Sequence, residues 1–96
     1  MGVPLAEKLR QLAGDLSELA AMPVRDEDQL EAWYAAARRI EEGIRTDPVL
    51  SDAVPHFIWH YLADADIRRG EPVYYAEQTQ QLMGLLEWLH RGEVPS

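Results

Sequence analysis

The stretch PHFIWHYLADADIRRG, residues 55–70, is the most apolar part of the chain and decides the predicted fold. At about 100° per residue it gives a broad apolar helical face, made of Val54, Phe57, Ile58, Tyr61, Leu62 and Ala65. Its end carries the signals typical of a helix C-terminus, with Arg69 in the last turn, Gly70 at the left-handed position and Pro72 just beyond. A helix that is apolar over most of its surface usually lies at the centre of a bundle or contacts a partner.

Apolar residues repeat at helical spacing on both sides of this stretch, so three more helices are predicted. A leucine seam from Leu5 to Leu19 marks the first, and Asp26 can cap the start of the second. Pro55 should kink the third, because proline has no N–H to bond back four residues. The predicted helices span residues 4–22, 27–45, 48–69 and 72–91, with a frayed tail over 93–96.

The short connections favour an all-α fold of one domain, residues 1–96, built as a compact, up-down antiparallel four-helix bundle with a Pro-kinked third helix. Antiparallel packing would bring Arg68 and Arg69 close to the acidic start of helix two, residues 26–28. The predicted core residues are Leu12, Leu16, Trp33, Ile40, Phe57, Ile58, Leu62, Leu82 and Leu86.

Charge and composition exclude several classes of function. The chain of 96 residues has 9 Lys and Arg against 17 Asp and Glu, a net charge of −8. Binding to a phosphate backbone or an anionic membrane needs clustered positive charge, so neither nucleic acid nor membrane is an expected partner. Cysteine is absent, which excludes thiolate chemistry and disulfides. No secretion signal or membrane span is evident, and we expect a cytoplasmic protein.

Two tryptophans fall away from the main apolar stripes of their helices. Trp59, Ala63 and Ile67 form a small apolar strip on the outer side of helix three, where His56 also lies, and Trp88 is off the leucine stripe of helix four. A wide bundle could simply cover both tryptophans. The functional interpretation is a partner surface, because tryptophan is a favoured interface anchor. It predicts a protein-interaction or regulatory module that forms a homodimer, since one patch can pair with itself about a two-fold axis, or that binds another protein, for example a basic one.

The alternative prediction is a small metal- or ligand-binding protein. His56, His60 and Asp64 follow at spacings of four along one helical ridge, and two histidines so spaced can chelate a transition metal. Glu87 and His90 also match the Glu-x-x-His spacing of dinuclear carboxylate bundles, although only one such motif is present. The structural interpretation is an ordinary His60–Asp64 surface pair. We expect no cofactor and, without a nucleophile motif, no enzyme activity.

Overall fold

The computed structural model describes residues 2–95, which form six α-helices and no strand. The helices are α1 (Leu5–Ala21), α2 (Glu27–Arg45), α3 (Pro48–Ala53), α4 (Phe57–Ala63), α5 (Ala65–Gly70) and α6 (Pro72–His90). The predicted all-α class is therefore confirmed. None of these helices is both long enough and apolar enough to cross a membrane.

Side-chain caps fix where two of the helices begin. At α2, an oxygen of Asp26 accepts from the backbone N–H of Gln29 at 2.8 Å. Gln29 reaches back in turn, and its Oε1 accepts from the backbone N–H of Arg25 at 2.7 Å. At α3, Asp47 accepts from the N–H of Leu50 at 3.2 Å. The two aspartate bonds satisfy N–H groups that the first turn of a helix leaves without a partner, and the Gln29 bond holds the residue before the cap.

The leucine seam of α1 lies at the centre of the core. Leu9, Leu12, Leu16 and Leu19 are all buried, together with Ala13. Among the predicted core residues, Leu12, Leu16, Trp33, Ile58, Leu62 and Leu82 are buried, whereas Ile40, Phe57 and Leu86 are half-buried against the core.

Contacts at both ends of α1 define its neighbours. Near its start, Lys8 Nζ lies 2.7 Å from a carboxylate oxygen of Asp47, just after α2. Near its end, the carbonyl of Leu19 accepts from the indole N–H of Trp33 at 3.1 Å. The start of α1 also meets the end of α6, where Gly92 has a φ of 75°. A Cβ atom on Gly92 would lie 2.8 Å from that of Ala6, so only glycine fits both this backbone and this approach.

Three separate helices occupy the place of the single kinked helix predicted over residues 48–69. Val54 has an extended backbone (ψ 140°), as expected before a proline, and ends α3. A second break occurs at Asp64 (φ −109°, ψ 21°), between α4 and α5. The prediction anticipated the interruption at Pro55 but not the one at Asp64.

The two arginines at the end of α5 lie in different surroundings. Arg69 Nη1 lies 2.9 Å from Glu27 Oε1, which confirms the predicted contact with the acidic start of α2. The prediction is wrong for Arg68, whose side chain turns inward and is only 7% exposed.

The predicted tail is described as far as Pro95, since Ser96 lies outside the described residues. Val94 is half-buried against the core, and Pro95 lines a surface groove.

Candidate functional site

Trp59 lies partly inside the protein. It is half-buried against the core, and the guanidinium of Arg45 lies 5.4 Å from the centre of its ring. Ala63 is exposed at the end of α4, where its carbonyl accepts from the hydroxyl of Tyr34 at 3.1 Å. Ile67 is 44% exposed, but the break at Asp64 places it on a different helix. The predicted strip is therefore divided between α4 and α5.

Trp88 lies at a surface groove and is 37% exposed. The guanidinium of Arg91 lies 4.7 Å from the centre of its ring. The groove has a volume of about 380 Å³ and separates one side of α6 from the start of α4. We call it the Trp88 groove; its lining residues are Pro55, Phe57, Gln81, Gly84, Leu85, Glu87, Trp88 and Pro95.

The predicted partner residues therefore have different neighbours. His56 is exposed and stands between Pro55 and Phe57, both of which line the Trp88 groove. His56 itself does not line the groove, and its ring lies against that of His60. Trp59 instead contacts Arg45 at the end of α2.

The candidate metal ligands do not come together as predicted. The rings of His56 and His60 are edge to face, with centres 5.3 Å apart. Asp64 turns away from them, and its Oδ2 accepts from the hydroxyl of Tyr74 at 2.6 Å. Glu87 and His90 are exposed on α6. Within residues 2–95, no group of three or more His, Asp or Glu side chains is placed to hold a metal ion. A structural zinc site needs four ligands, twice the number that His56 and His60 could provide.

A buried polar cluster that the sequence analysis missed joins α4, α5 and α6. Arg68 Nη1 donates to the carbonyl of Tyr61 at 2.8 Å and to Gln78 Oε1 at 2.6 Å. Gln78 Nε2 donates to the hydroxyl of Tyr74 at 2.9 Å and lies 3.3 Å from Asp64 Oδ2. We call Tyr61, Asp64, Arg68, Tyr74 and Gln78 the Arg68 cluster.

Burial and hydrogen bonding shift the proton equilibria of this cluster. Desolvation lowers the pKa of the Arg68 guanidinium and raises the pKa of Tyr61. The hydrogen bond to Asp64 raises the pKa of Tyr74, because it favours the protonated hydroxyl. One sequence signal pointed to the cluster: Gln78 occupies a core position of α6 where leucine would be expected.

Function is inferred from these sites alone, because comparison of the chain with protein-family models, curated proteins and solved structures finds no match.

Proposed function

We propose that this protein is a protein-interaction module, not a catalyst, and that it binds apolar side chains of a basic partner in the Trp88 groove. The observation that supports this most directly is Trp88 itself, which remains 37% exposed at the edge of an apolar groove. Tryptophan is enriched among the residues that dominate binding energy at protein interfaces.

The lining of the groove indicates which chemistry it accepts. Pro55, Phe57 and Leu85 give it apolar walls, and Glu87 is the one charged residue among its lining residues. A partner side chain buried in the groove would remove apolar surface from water. A lysine or arginine beside that side chain could then pair with Glu87 at the rim.

Charge favours a basic partner over a second copy of the chain. Each copy has a net charge of −8, so two copies repel each other. About a two-fold axis through the groove, Glu87 would also face its own copy. The predicted homodimer is therefore the alternative that the experiment must exclude.

We also propose that the six helices form an up-down antiparallel four-helix bundle, in which α3, α4 and α5 together take the place of the third helix. The contacts of Lys8 with Asp47 and of Arg69 with Glu27 support alternating directions. The proposed compartment is the cytoplasm, where a chain without cysteine has no disulfide to lose.

A photo-crosslinking amino acid at position 81 tests the proposal in the native cells. Gln81 lines the Trp88 groove, whereas Met83 is 62% exposed on the same helix and does not line it. We expect a basic protein to be crosslinked from position 81 and not from position 83. The crosslinked protein is then purified, and its affinity for the wild type is measured by calorimetry.

Matched variants connect that affinity to the groove. Trp88→Ala and Glu87→Lys should each weaken the purified complex at least about tenfold, as expected for a central anchor and a reversed charge. Met83→Ala should leave the affinity unchanged. Equal effects of Met83→Ala and Trp88→Ala would contradict the proposal, and a solution mass that rises with concentration from 10.9 kDa to twice that value would favour the homodimer.

A further inference from the structure

A second cavity, of about 400 Å³, lies between the end of α1, the connection that follows it, and helices α2, α4, α5 and α6. Its volume is within the range of about 300–1,000 Å³ that is usual for small-molecule sites. We call it the arginine cavity, after the three arginines among its lining residues. Those that matter for binding are Arg25, Arg68, Arg69, Trp33, Tyr61 and Tyr75.

The charge in the arginine cavity is opposite to that of the whole protein. The chain has 17 acidic and 9 basic residues, yet three arginines and no Asp or Glu line this cavity. Glu27 pairs with Arg69 from outside the lining, and its side chain is exposed. Exposed ion pairs are weak and are easily exchanged for another anion. The cavity should therefore attract anions that the remaining surface repels.

Arg68 is the buried element of this site. Both of its hydrogen bonds, to the Tyr61 carbonyl and to Gln78 Oε1, go to neutral acceptors through Nη1. Arg68 is in none of the ion pairs found within residues 2–95. The charge of Asp64 acts on Arg68, but the two are connected through Gln78 and form no ion pair. A guanidinium has five N–H donors in all. Arg68 therefore has N–H donors, on Nη2 and Nε, that make no hydrogen bond to the described residues.

Aromatic rings surround the guanidinium. It lies 4.1 Å from the ring centre of Tyr61 and 4.9 Å from that of Trp33. Such stacking offsets part of the free-energy cost of desolvating the charge and fixes the orientation of the guanidinium. Trp33 and Tyr61 are only 2% and 5% exposed, so the ring that a ligand can cover is that of Tyr75, which lines the cavity on α6 and is 54% exposed.

From this arrangement we propose that the arginine cavity binds a small organic anion, a carboxylate or phosphate monoester attached to a flat apolar body. The planar fork of arginine pairs with either kind of anion through two parallel hydrogen bonds. The exposed ring of Tyr75 accepts the apolar body. Binding would give Arg68 a negative partner in direct hydrogen-bond contact, which the Tyr61 carbonyl and Gln78 do not provide.

Three probes of similar size test the proposal: phenylacetate, phenyl phosphate and the neutral phenylacetamide. Each is titrated into the full chain while NMR follows the indole N–H of Trp33 and the arginine side chains, and calorimetry gives the Kd. For fragments of this size we expect a Kd in the millimolar range or tighter for at least one anion. The preferred anion identifies the headgroup. Equal binding of phenylacetamide, or no shift with either anion, would overturn the proposal.

Arginine variants assign the binding to this cavity. Arg68→Met and the double variant Arg25→Gln, Arg69→Gln should each weaken anion binding at least about tenfold, the loss expected for a charge-assisted hydrogen bond. The double variant changes exposed residues, so it still tests whether the anion binds in this cavity if Arg68→Met does not fold. Arg38→Gln, an exposed arginine outside the cavity, is the matched control. An equal loss in Arg38→Gln, or none in the double variant, would contradict the assignment.

Discussion

Trp59 and Trp88 look alike in the sequence but differ in the structure, and truncating each should show this. Trp59 is packed against the core under Arg45, so Trp59→Ala should lower the free energy of unfolding by about 2 kcal/mol, less than the 3–5 kcal/mol typical of a fully buried ring. Trp88→Ala removes a ring at a groove and should cost less than about 1 kcal/mol. Chemical denaturation followed by circular dichroism measures both.

Equal losses of unfolding free energy in Trp59→Ala and Trp88→Ala would contradict the conclusion that Trp59 is packed against the core and Trp88 is not. If Trp59→Ala instead left stability unchanged and weakened association, Trp59 would belong to the predicted partner surface after all.

At the scale of single residues, the buried position of Arg68 was the hardest to predict. A cation in the last turn of a helix normally remains in solvent and interacts with the helix dipole, as Arg69 does near Glu27. The break at Asp64 redirects the short α5, which turns Arg68 inward toward Gln78. Spacing within one uninterrupted helix could not predict that change of direction.

At the scale of helices, the hydrogen bonds of Asp64 connect the α4–α5 break to α6. Its carboxylate makes no cap to α5 but accepts from the hydroxyl of Tyr74. Because this bond raises the pKa of Tyr74 above 10.0, its stabilising effect is present at pH below about 10 and is lost as pH rises through the higher folded-state pKa. Stability should therefore fall in alkaline solution.

Two adjacent tyrosines allow a matched test of this alkaline loss. Tyr74→Phe removes the hydrogen-bonded hydroxyl and should make the fall in unfolding free energy between about pH 9 and pH 11 less steep. Tyr75→Phe, which changes the exposed neighbouring tyrosine, should leave the slope unchanged. Tyr34 and Tyr61 also have raised pKa values through burial, so part of the fall remains. The same slope in wild type and Tyr74→Phe would contradict the role given to Asp64.

The helices that follow local signals could be predicted, and those that depend on distant contacts could not. The α2 helix spans the predicted residues 27–45, because its cap at Asp26 and its apolar stripe are both local. No proline or glycine marks the break at Asp64, whose partner Tyr74 lies ten residues further along the chain. The Trp88 groove could be predicted only in part, since Trp88 was found from its helical face, but Phe57 comes from α4 and Pro55 from the connection before it.

At the scale of the whole molecule, the net charge of −8 should make stability depend on salt. The screening length falls from about 30 Å at 0.01 M to about 8 Å at 0.15 M salt, whereas the longest dimension of the molecule is 43 Å. Repulsion between distant carboxylates therefore acts across the protein at low salt. Added NaCl weakens that repulsion more than it weakens the ion pairs, so the melting temperature should rise.

Calorimetric melting at increasing NaCl concentration measures this effect. Glu77→Lys, which replaces an exposed negative charge by a positive one, should show a smaller rise than the wild type. A melting temperature that falls with salt would mean that the three ion pairs found within residues 2–95 outweigh the repulsion.

The contact of Gly92 with Ala6 has a mechanical consequence. The start of α1 meets the end of α6, so a force that pulls the two ends of the chain apart is applied at one end of this helix pair. The contacts between the two helices would then break in sequence, one turn after another, instead of sliding together under a shared load. Forced unfolding is governed by the unfolding barrier. We therefore expect α1 and α6 to separate turn by turn at low force.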